Sequence, residues 1–270
     1  MLSLFAKTFL NNILISECYS YLCVVCVIIC RYLLANILIV LPVYNEEKQL
    51  VAGVNTLLAF LKKSKFPYTY TILIVDNAST DATLKIGKSL AGILKNVQYL
   101  RLEKKGRGLA LRTAWRTAKK YACACYMDVD LSTDLKHLRT LIDAIVVQKY
   151  DLAVGNRLGT HSLVEGRTFF RELFSRTYNL LLRIVFMKKI PDAQCGFKAI
   201  NPKSFLKIES TIRNNNWFFD TELLLIMYHC NMRVTAVDVH WVDDPDSQVA
   251  LSSCILEYVR GILRMRFTLW

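Results

Sequence analysis

The sequence predicts an α/β protein built on a mostly parallel sheet that is flanked by helices. Short apolar runs, which suit strands buried on both faces, alternate with segments whose apolar residues recur at helical spacing. The chain has 270 residues, which is enough for one large domain or two small ones. Alternation of this kind is typical of parallel sheets with right-handed crossover connections.

Five strands are predicted in the first part of the chain, and each has an apolar core: 36–42, 70–76, 97–103, 123–130 and 151–157. Four helices are predicted between them. Three lie at 46–64, 108–121 and 134–148, and one begins at a cap formed by Ser79, Thr80 or Asp81 and ends at Leu90. The ligands of such sheets lie beyond the carboxyl ends of the strands, so the residues that follow these runs are the first candidates for a site.

After residue 160 the regular alternation stops. Amphipathic helices with arginines among apolar residues are predicted at 168–186 and 252–267, and a further helix at 217–230. A loop with a short strand is predicted at 190–200, and one alternating strand at 233–242. Because no internal repeat, low-complexity segment or Pro/Gly-rich linker interrupts it, residues 36–270 are predicted to form one catalytic domain.

Residues 1–35 form a hydrophobic N-terminal segment. The stretch 13–30 has about the length that spans a bilayer, although Glu17 lies inside it. Two interpretations remain open, a membrane anchor and a poorly specified N-terminal extension. A cleaved signal peptide is not expected, because no small-residue cleavage site follows.

The charge and the cysteines restrict the class of protein. Lys and Arg number 35 against 22 Asp and Glu, a net charge of +13 that favours a polyanionic partner such as an anionic membrane surface or a phosphorylated substrate. No nucleic-acid partner is expected, because the basic residues are dispersed and no recognition motif occurs. The nine cysteines include no pair of CxxC motifs, which indicates buried thiols in a reducing, cytosolic compartment.

Two carboxylates end the fourth predicted strand. Asp128 and Asp130 are two residues apart, so their side chains point to the same side and repel unless a cation or proton lies between them. Oxygen ligands favour Mg²⁺ or Mn²⁺, which would in turn hold a diphosphate. The alternative is an ordinary pair of capping residues.

Other residues at strand ends have two interpretations. Asp76 either accepts hydrogen bonds from a nucleoside or caps the following helix. The loop KKGRGLALR, which contains Gly108, either cradles phosphate or is an ordinary helix start. Arg157, Arg171 and Arg176 either bind phosphate or are solvated charges, and Arg176 in particular has Glu172 at i−4 as a partner.

Several motifs together resemble glycosyltransferase family 2, which has the GT-A fold. The segments VLPVYNEE, IVDNASTDAT, KKGRGLALRTAW and YMDVDLSTDL resemble its nucleotide-sugar half. GNR, FSRTYNLLLR, DAQCGFKAI, WFFDTELL and VHWVDDPDS resemble its polyprenyl-phosphate branch, the dolichyl-phosphate glucosyl- and mannosyltransferase type. The resemblance extends from about residue 37 to 267.

The resemblance implies an inverting enzyme that moves a hexose from UDP-glucose or GDP-mannose to a polyprenyl phosphate, at a membrane and facing the cytoplasm. It assigns roles as follows: Pro42, Tyr44, Glu46, Asp76 and Gly108 to the donor, Asp128 and Asp130 to metal and diphosphate, Arg157 and Arg176 to the lipid phosphate, and Gln194 with 217–222 to the sugar. The family often has a second Asp where this chain has Asn77.

Two other functions remain open. A glycosyltransferase with a saccharide or protein acceptor would need a carboxylate base, for which Asp220 or Glu222 could serve. A non-catalytic protein could instead bind anionic membrane surfaces through its basic helices.

Overall fold

A computed structural model describes residues 35–243 and 251–270, with side chains from 255 onward in the last helix. The hydrophobic segment predicted at 1–35 therefore lies, up to residue 34, outside the described residues. In chain order the elements are β1 (Asn36–Val43), α1 (Leu50–Lys63), β2 (Thr69–Asp76), α2 (Thr83–Ile93), β3 (Val97–Arg101), α3 (Arg107–Thr117), β4 (Cys123–Met127), α4 (His137–Val146), β5 (Leu152–Asn156), β6 (Leu163–Glu165), α5 (Phe169–Phe186), β7 (Phe197–Ile200), α6 (Pro202–Ile208), α7 (Phe219–His229), β8 (Val234–Asp238), β9 (His240–Val242) and α8 (Leu251–Leu269).

Seven strands form the central sheet in the order β3-β2-β1-β4-β7-β5-β8. All of them run in one direction except β7, which is antiparallel to β4 and to β5. The mostly parallel sheet predicted from the sequence is confirmed, and the apolar runs form its core: in β1 every residue from Ile37 to Leu41 is at most 1% exposed. The parallel strands end at one edge, where β1, β2 and β3 place Val43, Asp76 and Arg101 side by side.

One predicted strand is in fact two. The stretch 233–242 forms β8 at the edge of the sheet and β9, which pairs in parallel with β6. The break falls at Val239, which is 1% exposed and whose N–H donates to Asn156 O while its carbonyl accepts from Leu163 N. At Val239 the chain changes its pairing partner from β5 to β6, and the backbone hydrogen bonds of Val239 are kept. The alternating sequence pattern does not reveal this change of partner.

Helices α5 and α8 pack against one another beside the sheet. The ring centroids of Tyr178 and Tyr258 are 5.1 Å apart, and those of Phe186 and Trp270 are also 5.1 Å apart. Of the cysteines predicted to be buried thiols, Cys123, Cys125 and Cys195 are free and buried. Cys230 is exposed, because it follows the last residue of α7 and leaves the core.

We expect Gly53→Ala to destabilise the fold by about 1–3 kcal/mol. A Cβ at Gly53 would lie 2.2 Å from the carbonyl oxygen of Val129, so helix α1 could no longer approach the turn after β4. Gly92→Ala in α2 is the matched control, because its Cβ would meet nothing within 4 Å and it should gain up to about 1 kcal/mol of helix propensity. Urea unfolding of both variants measures the difference, and equal stabilities would contradict the close contact.

Candidate active site

Three non-glycine residues with a left-handed backbone follow the strands at the carboxyl edge of the sheet. They are Asn45 (φ 55°) after β1, Ala78 (φ 61°) after β2 and Leu131 (φ 54°) after β4. Such conformations cost free energy and persist where the surrounding structure requires them, most often at functional sites. Here they turn the chain sharply, so that the polar residues following three neighbouring strands stay at one edge.

Asp128 and Asp130 lie on the turn after β4. Leu131 N donates to Asp128 O over 3.1 Å, and Ser132 N donates to the Asp130 carboxylate over 2.9 Å. Two glycines allow neighbouring segments to approach this turn: Gly53 below Val129, and Gly196, where a Cβ would lie 2.1 Å from Asp128 Oδ2. The sequence places the carboxylates, and the two glycines make the space around them.

A row of alternating charges runs beneath the two carboxylates. Lys198, which is fully buried, donates to Asp220 Oδ1 over 2.7 Å. Asp220 Oδ2 lies 3.8 Å from Arg107 Nε, and Arg107 Nη1 lies 2.8 Å from Asp128 Oδ1. Burial lowers the pKa of Arg107, but the negative charges of Asp128 and Asp220 outweigh this and raise it, so the guanidinium stays charged. Opposite charges therefore fix carboxylates that would otherwise repel.

A cavity of about 180 Å³ opens between this row and helices α5 and α8. Its lining contains carboxylates, arginines and aromatic rings: Arg107, Asp128, Asp130, Ser132, Arg157, Arg167, Arg171, Phe174, Ser175, Tyr178, Gln194, Gly196, Trp217, Asp220, Trp241, Asp243 and Tyr258. The structure thus brings together seven of the sequence-derived candidates: Asp128, Asp130, Arg157, Arg171, Gln194, Trp217 and Asp220. Arg107 was included only as part of the candidate loop 104–112, and Arg167, Trp241 and Asp243 were given no role from the sequence.

Three of the arginines that line the cavity, Arg157, Arg167 and Arg171, cluster around Trp241 and Asp243, whereas Arg107 contacts Asp128. Arg157 binds Asp192 with two nitrogens, Nε at 2.5 Å and Nη2 at 3.0 Å. Burial would lower the pKa of Arg157, but the charge of Asp192 outweighs it and raises the pKa. Burial alone would raise the pKa of Asp192, but the charge and hydrogen bonds of Arg157 outweigh burial and lower this pKa below its ordinary value. The pair therefore stays ionised.

Two candidates lie away from the cavity. The side chain of Arg176 is 61% exposed, and its Nε lies 2.6 Å from Glu172 Oε1. This is the arrangement expected if Arg176 is a solvated charge paired with Glu172. Glu222 is fully buried and accepts from the peptide N–H groups of Arg213 and Asn214 and from Arg264 of α8. Glu222 therefore holds a loop and a helix together, which leaves Asp220 as the carboxylate of this segment that lines the cavity.

The donor candidates of the first two strands lie at the edge formed by β1 and β2. Asp76 is fully buried and accepts from Tyr99 OH at 2.5 Å, from Arg101 Nη1 at 2.9 Å and from Ser79 N at 2.8 Å. Burial and the hydrogen bond to Asp76 raise the pKa of Tyr99 to about 12, so this phenol remains a donor at neutral pH. The ammonium of Lys105 lies 3.4 Å from the centre of the Tyr44 ring.

Four further candidates have defined surroundings. Pro42, near the end of β1, and Glu46 are half-buried, and Glu46 N donates to Thr83 Oγ1. Gly108 permits close packing of α3, since its Cβ would lie 2.5 Å from Phe219 Cβ. Gln194 donates to Thr221 and accepts from Tyr258 of α8, which fixes its amide at the cavity wall. Asn77 accepts from Gly106 N over 2.6 Å and ties the loop before α3 to β2.

Comparison with known proteins places the chain in a family. The family model for glycosyl transferase family 2 matches residues 38–208. Glycosyltransferase AglD of Haloferax volcanii is 32% identical over 231 residues, which cover 84% of this chain and 36% of AglD. The dolichyl-phosphate beta-glucosyltransferase of Dictyostelium discoideum is 28% identical over 240 residues, 85% of this chain and 73% of that protein. The Saccharomyces cerevisiae enzyme of the same name is 28% identical over 255 residues, 86% and 75% of the two chains.

Solved structures share the fold at lower identity. Mannosyl-3-phosphoglycerate synthase from Rubrobacter xylanophilus has a TM-score of 0.64 and 16% identity, over 86% of this chain and 74% of its own. Glucosyl-3-phosphoglycerate synthase from Mycobacterium tuberculosis, in complex with Mn²⁺ and UDP-glucose, has a TM-score of 0.62 and 14% identity, over 86% and 79%. The GT-A fold expected from the sequence motifs is confirmed, and the chain belongs to glycosyltransferase family 2, as an enzyme with the sugar-transferring activity of that family.

Proposed function

We propose that this glycosyltransferase moves glucose from UDP-glucose to the phosphate of a polyprenyl lipid, with inversion at the anomeric carbon. The observation that supports it best is the charge distribution in the cavity lining, where the carboxylates Asp128 and Asp130 occur together with three arginines that cluster around Trp241 and Asp243. The named activity of the dolichyl-phosphate beta-glucosyltransferases favours glucose over mannose as the sugar. GDP-mannose remains the second donor to be tested.

The residues present fit a divalent cation that is shared with a diphosphate. In the described ranges, no three His, Cys, Asp or Glu side chains gather into a metal site of their own. Asp128 and Asp130 both line the cavity, however, and Mg²⁺ typically takes one or two carboxylates while phosphate and water complete its shell. Mg²⁺ or Mn²⁺ bound there would offset the charge on the leaving nucleoside diphosphate.

The remaining steps fall to the side chains of the cavity. Arg157, Arg167 and Arg171 would hold the acceptor phosphate, and an anionic phosphate oxygen would attack the anomeric carbon without a dedicated base. As the new carbon–oxygen bond forms, the bond to the diphosphate breaks and the diphosphate keeps the electron pair. Arg107, already held by Asp128 and Asp220, would stabilise the charge that develops there. Arg171 takes the place expected for Arg176, because it lines the cavity.

A saccharide or protein acceptor is the second candidate. It would need a base, and Asp220 is the carboxylate of α7 that lines the cavity. Its Oδ1, however, already accepts hydrogen bonds from Lys198 and Tyr126, and its Oδ2 lies 3.8 Å from Arg107 Nε, so both oxygens are engaged within the protein. The surroundings of Asp220 therefore favour the lipid phosphate, which supplies its own negative charge.

Helices α5 and α8 would place the cavity at an anionic membrane surface. They expose large apolar side chains along one face each: Phe169, Phe170, Leu173, Leu180, Leu181 and Ile184 on α5, and Ile255, Leu256, Val259, Leu263 and Phe267 on α8. Arg183, Arg260 and Arg266 are exposed on the same two helices, which suits anionic headgroups. No helix among the described residues is long and apolar enough to cross a bilayer. The cytoplasmic side is proposed because the cysteines of the core are free thiols.

We expect Asp130→Asn to lower sugar transfer by about 100-fold or more, because losing a metal ligand removes several kcal/mol of transition-state stabilisation. The assay supplies UDP-glucose, Mn²⁺ and either polyprenyl phosphate or free saccharides as acceptors. Asp134→Asn is the matched control, since Asp134 lies in the same loop and binds Lys136 outside the cavity. Transfer to saccharides alone, or equal activity of the two variants, would contradict the proposed function.

We expect Arg171→Ala to raise the KM for polyprenyl phosphate roughly thirtyfold, while the KM for UDP-glucose stays within about twofold. Arg176→Ala removes the neighbouring charge on the same helix and should leave both constants unchanged, because its guanidinium pairs with Glu172 in solvent. Steady-state kinetics with each substrate varied in turn measure this. An acceptor defect in Arg176→Ala but not in Arg171→Ala would reverse the assignment.

We expect the full chain with Leu180→Glu and Ile184→Glu to float less with vesicles that contain anionic lipid. Both side chains are exposed on α5, at 55% and 62%. Burying two such side chains in the lipid would contribute about 3–6 kcal/mol to membrane binding. Ile93→Glu is the control, since Ile93 is 75% exposed but lies on α2. Equal flotation of the two proteins would show that α5 does not bind the membrane.

A further inference from the structure

The arginine side of the cavity contains a carboxylate that none of the steps above uses. Asp243 Oδ2 lies 3.3 Å from Arg167 Nε and 3.7 Å from Arg171 Nη1. Its other oxygen accepts from Trp241 Nε1 over 2.5 Å. The guanidinium of Arg157 lies 4.8 Å from the centre of the same Trp241 ring, so two arginines contact Asp243 and the third contacts the residue that donates to it.

Within the described ranges, three carboxylates form ion pairs with these arginines, and they differ in position. Asp192 is fully buried and is bound by two nitrogens of Arg157, while Glu172 binds Arg167 and Arg176. Neither of them lines the cavity, whereas Asp243 does. Asp243 therefore occupies the place among the arginines where an anion entering the cavity would be held.

The contacts of Asp243 are also weaker than those of Asp192. The ion-pair distances from Arg167 and Arg171 to Asp243 are 3.3 and 3.7 Å, whereas the Arg157–Asp192 pair has two contacts at 2.5 and 3.0 Å. Bidentate arginine–carboxylate pairs are strong and directional, and single long contacts are weak. The Asp192 pair is thus part of the framework, and the Asp243 contacts can be exchanged for a better anion.

We propose that Asp243 is an internal stand-in for the acceptor phosphate. Its carboxylate holds Arg167 and Arg171 in the arrangement that binds phosphate, and an incoming phosphate displaces it from them. The inference rests on the proposed function, in that the phosphate is taken to belong to the acceptor.

A stand-in anion discriminates between substrate and product by charge. A phosphate monoester has a charge of about −1.5 to −2 at pH 7, whereas the glycosylated product is a diester with a single negative charge. The carboxylate of Asp243, with a charge of −1, competes poorly with the monoester for the arginines and competes well with the diester product. Its return to the arginines would therefore favour product release.

The test measures binding of inorganic phosphate, and of a short-chain isoprenyl phosphate in detergent, to the full-length protein by calorimetry. Asp243→Asn should bind both about tenfold more tightly than the unaltered protein, because a like charge has been removed from the site. Asn can still accept the hydrogen bond of Trp241, and Asp243→Ser is a second neutral variant with the same expected result. Asp243→Glu keeps the charge and should bind as the unaltered protein does.

Product inhibition provides a second readout. With Asp243→Asn, the glycosylated lipid should inhibit at about tenfold lower concentration, while the KM for UDP-glucose stays unchanged. Arg176→Ala should alter neither phosphate binding nor inhibition. Unchanged or weaker phosphate binding by both neutral variants would overturn the inference, and so would an absence of phosphate binding in every variant. Tighter phosphate binding without any transfer to polyprenyl phosphate would instead refute the proposed function and leave the role of Asp243 standing.

Discussion

The row of alternating charges from Lys198 through Asp220 and Arg107 to Asp128 is the interaction on which the site depends. Without it, Asp128, Asp130 and Asp220 would bring three negative charges to one edge of the sheet. A buried charge is tolerated when it is paired with an opposite charge, and each inner member of the row has an opposite charge on both sides, although in the described part of the chain Arg107 Nε has no hydrogen-bond partner. The outer end, at Asp128 and Asp130, is where a bound cation would continue the alternation.

The antiparallel strand β7 is what makes this row possible. Its register places Lys198 beside Tyr126 of β4 and beside Val154 of β5, so the ammonium lies in the middle of the sheet. Cys195 and Gly196 are the two residues before β7. The carbonyl of Cys195 accepts from the Lys198 ammonium, and Gly196 lies against the Asp128 carboxylate. A single short strand thus positions the floor of the cavity, and the two helices α5 and α8 provide its opposite wall.

Much of the fold follows from the sequence, because buried parallel strands require apolar runs and the helices between them require a periodic apolar face. Asp128 and Asp130 were predictable for the same reason, since they directly follow such a run. The antiparallel placement of β7 was not, because four residues contain too little pattern to fix a strand direction. The one available signal was Lys198, a charge inside the apolar run FKAI that only a buried partner could tolerate.

The choice between arginines also lay beyond the sequence. Arg171 and Arg176 both lie on α5, and because they are five residues apart they point about 140° away from one another. The spacing of the two arginines gives this angle, but it does not say which of them faces the cavity. That depends on how α5 packs against α8. The same limit applies to Asp220 and Glu222, two residues apart on α7, of which one faces the cavity and the other binds a loop.

The most direct test is a crystal structure of the full chain with Mn²⁺, UDP and inorganic phosphate, in which anomalous scattering locates the metal. The arrangement described here predicts one Mn²⁺ bonded to both Asp128 and Asp130 and to the diphosphate, with the phosphate held by Arg157 and Arg171 across the cavity. A Mn²⁺ ion bound elsewhere, or a phosphate at Arg176 on the outer face of α5, would contradict it.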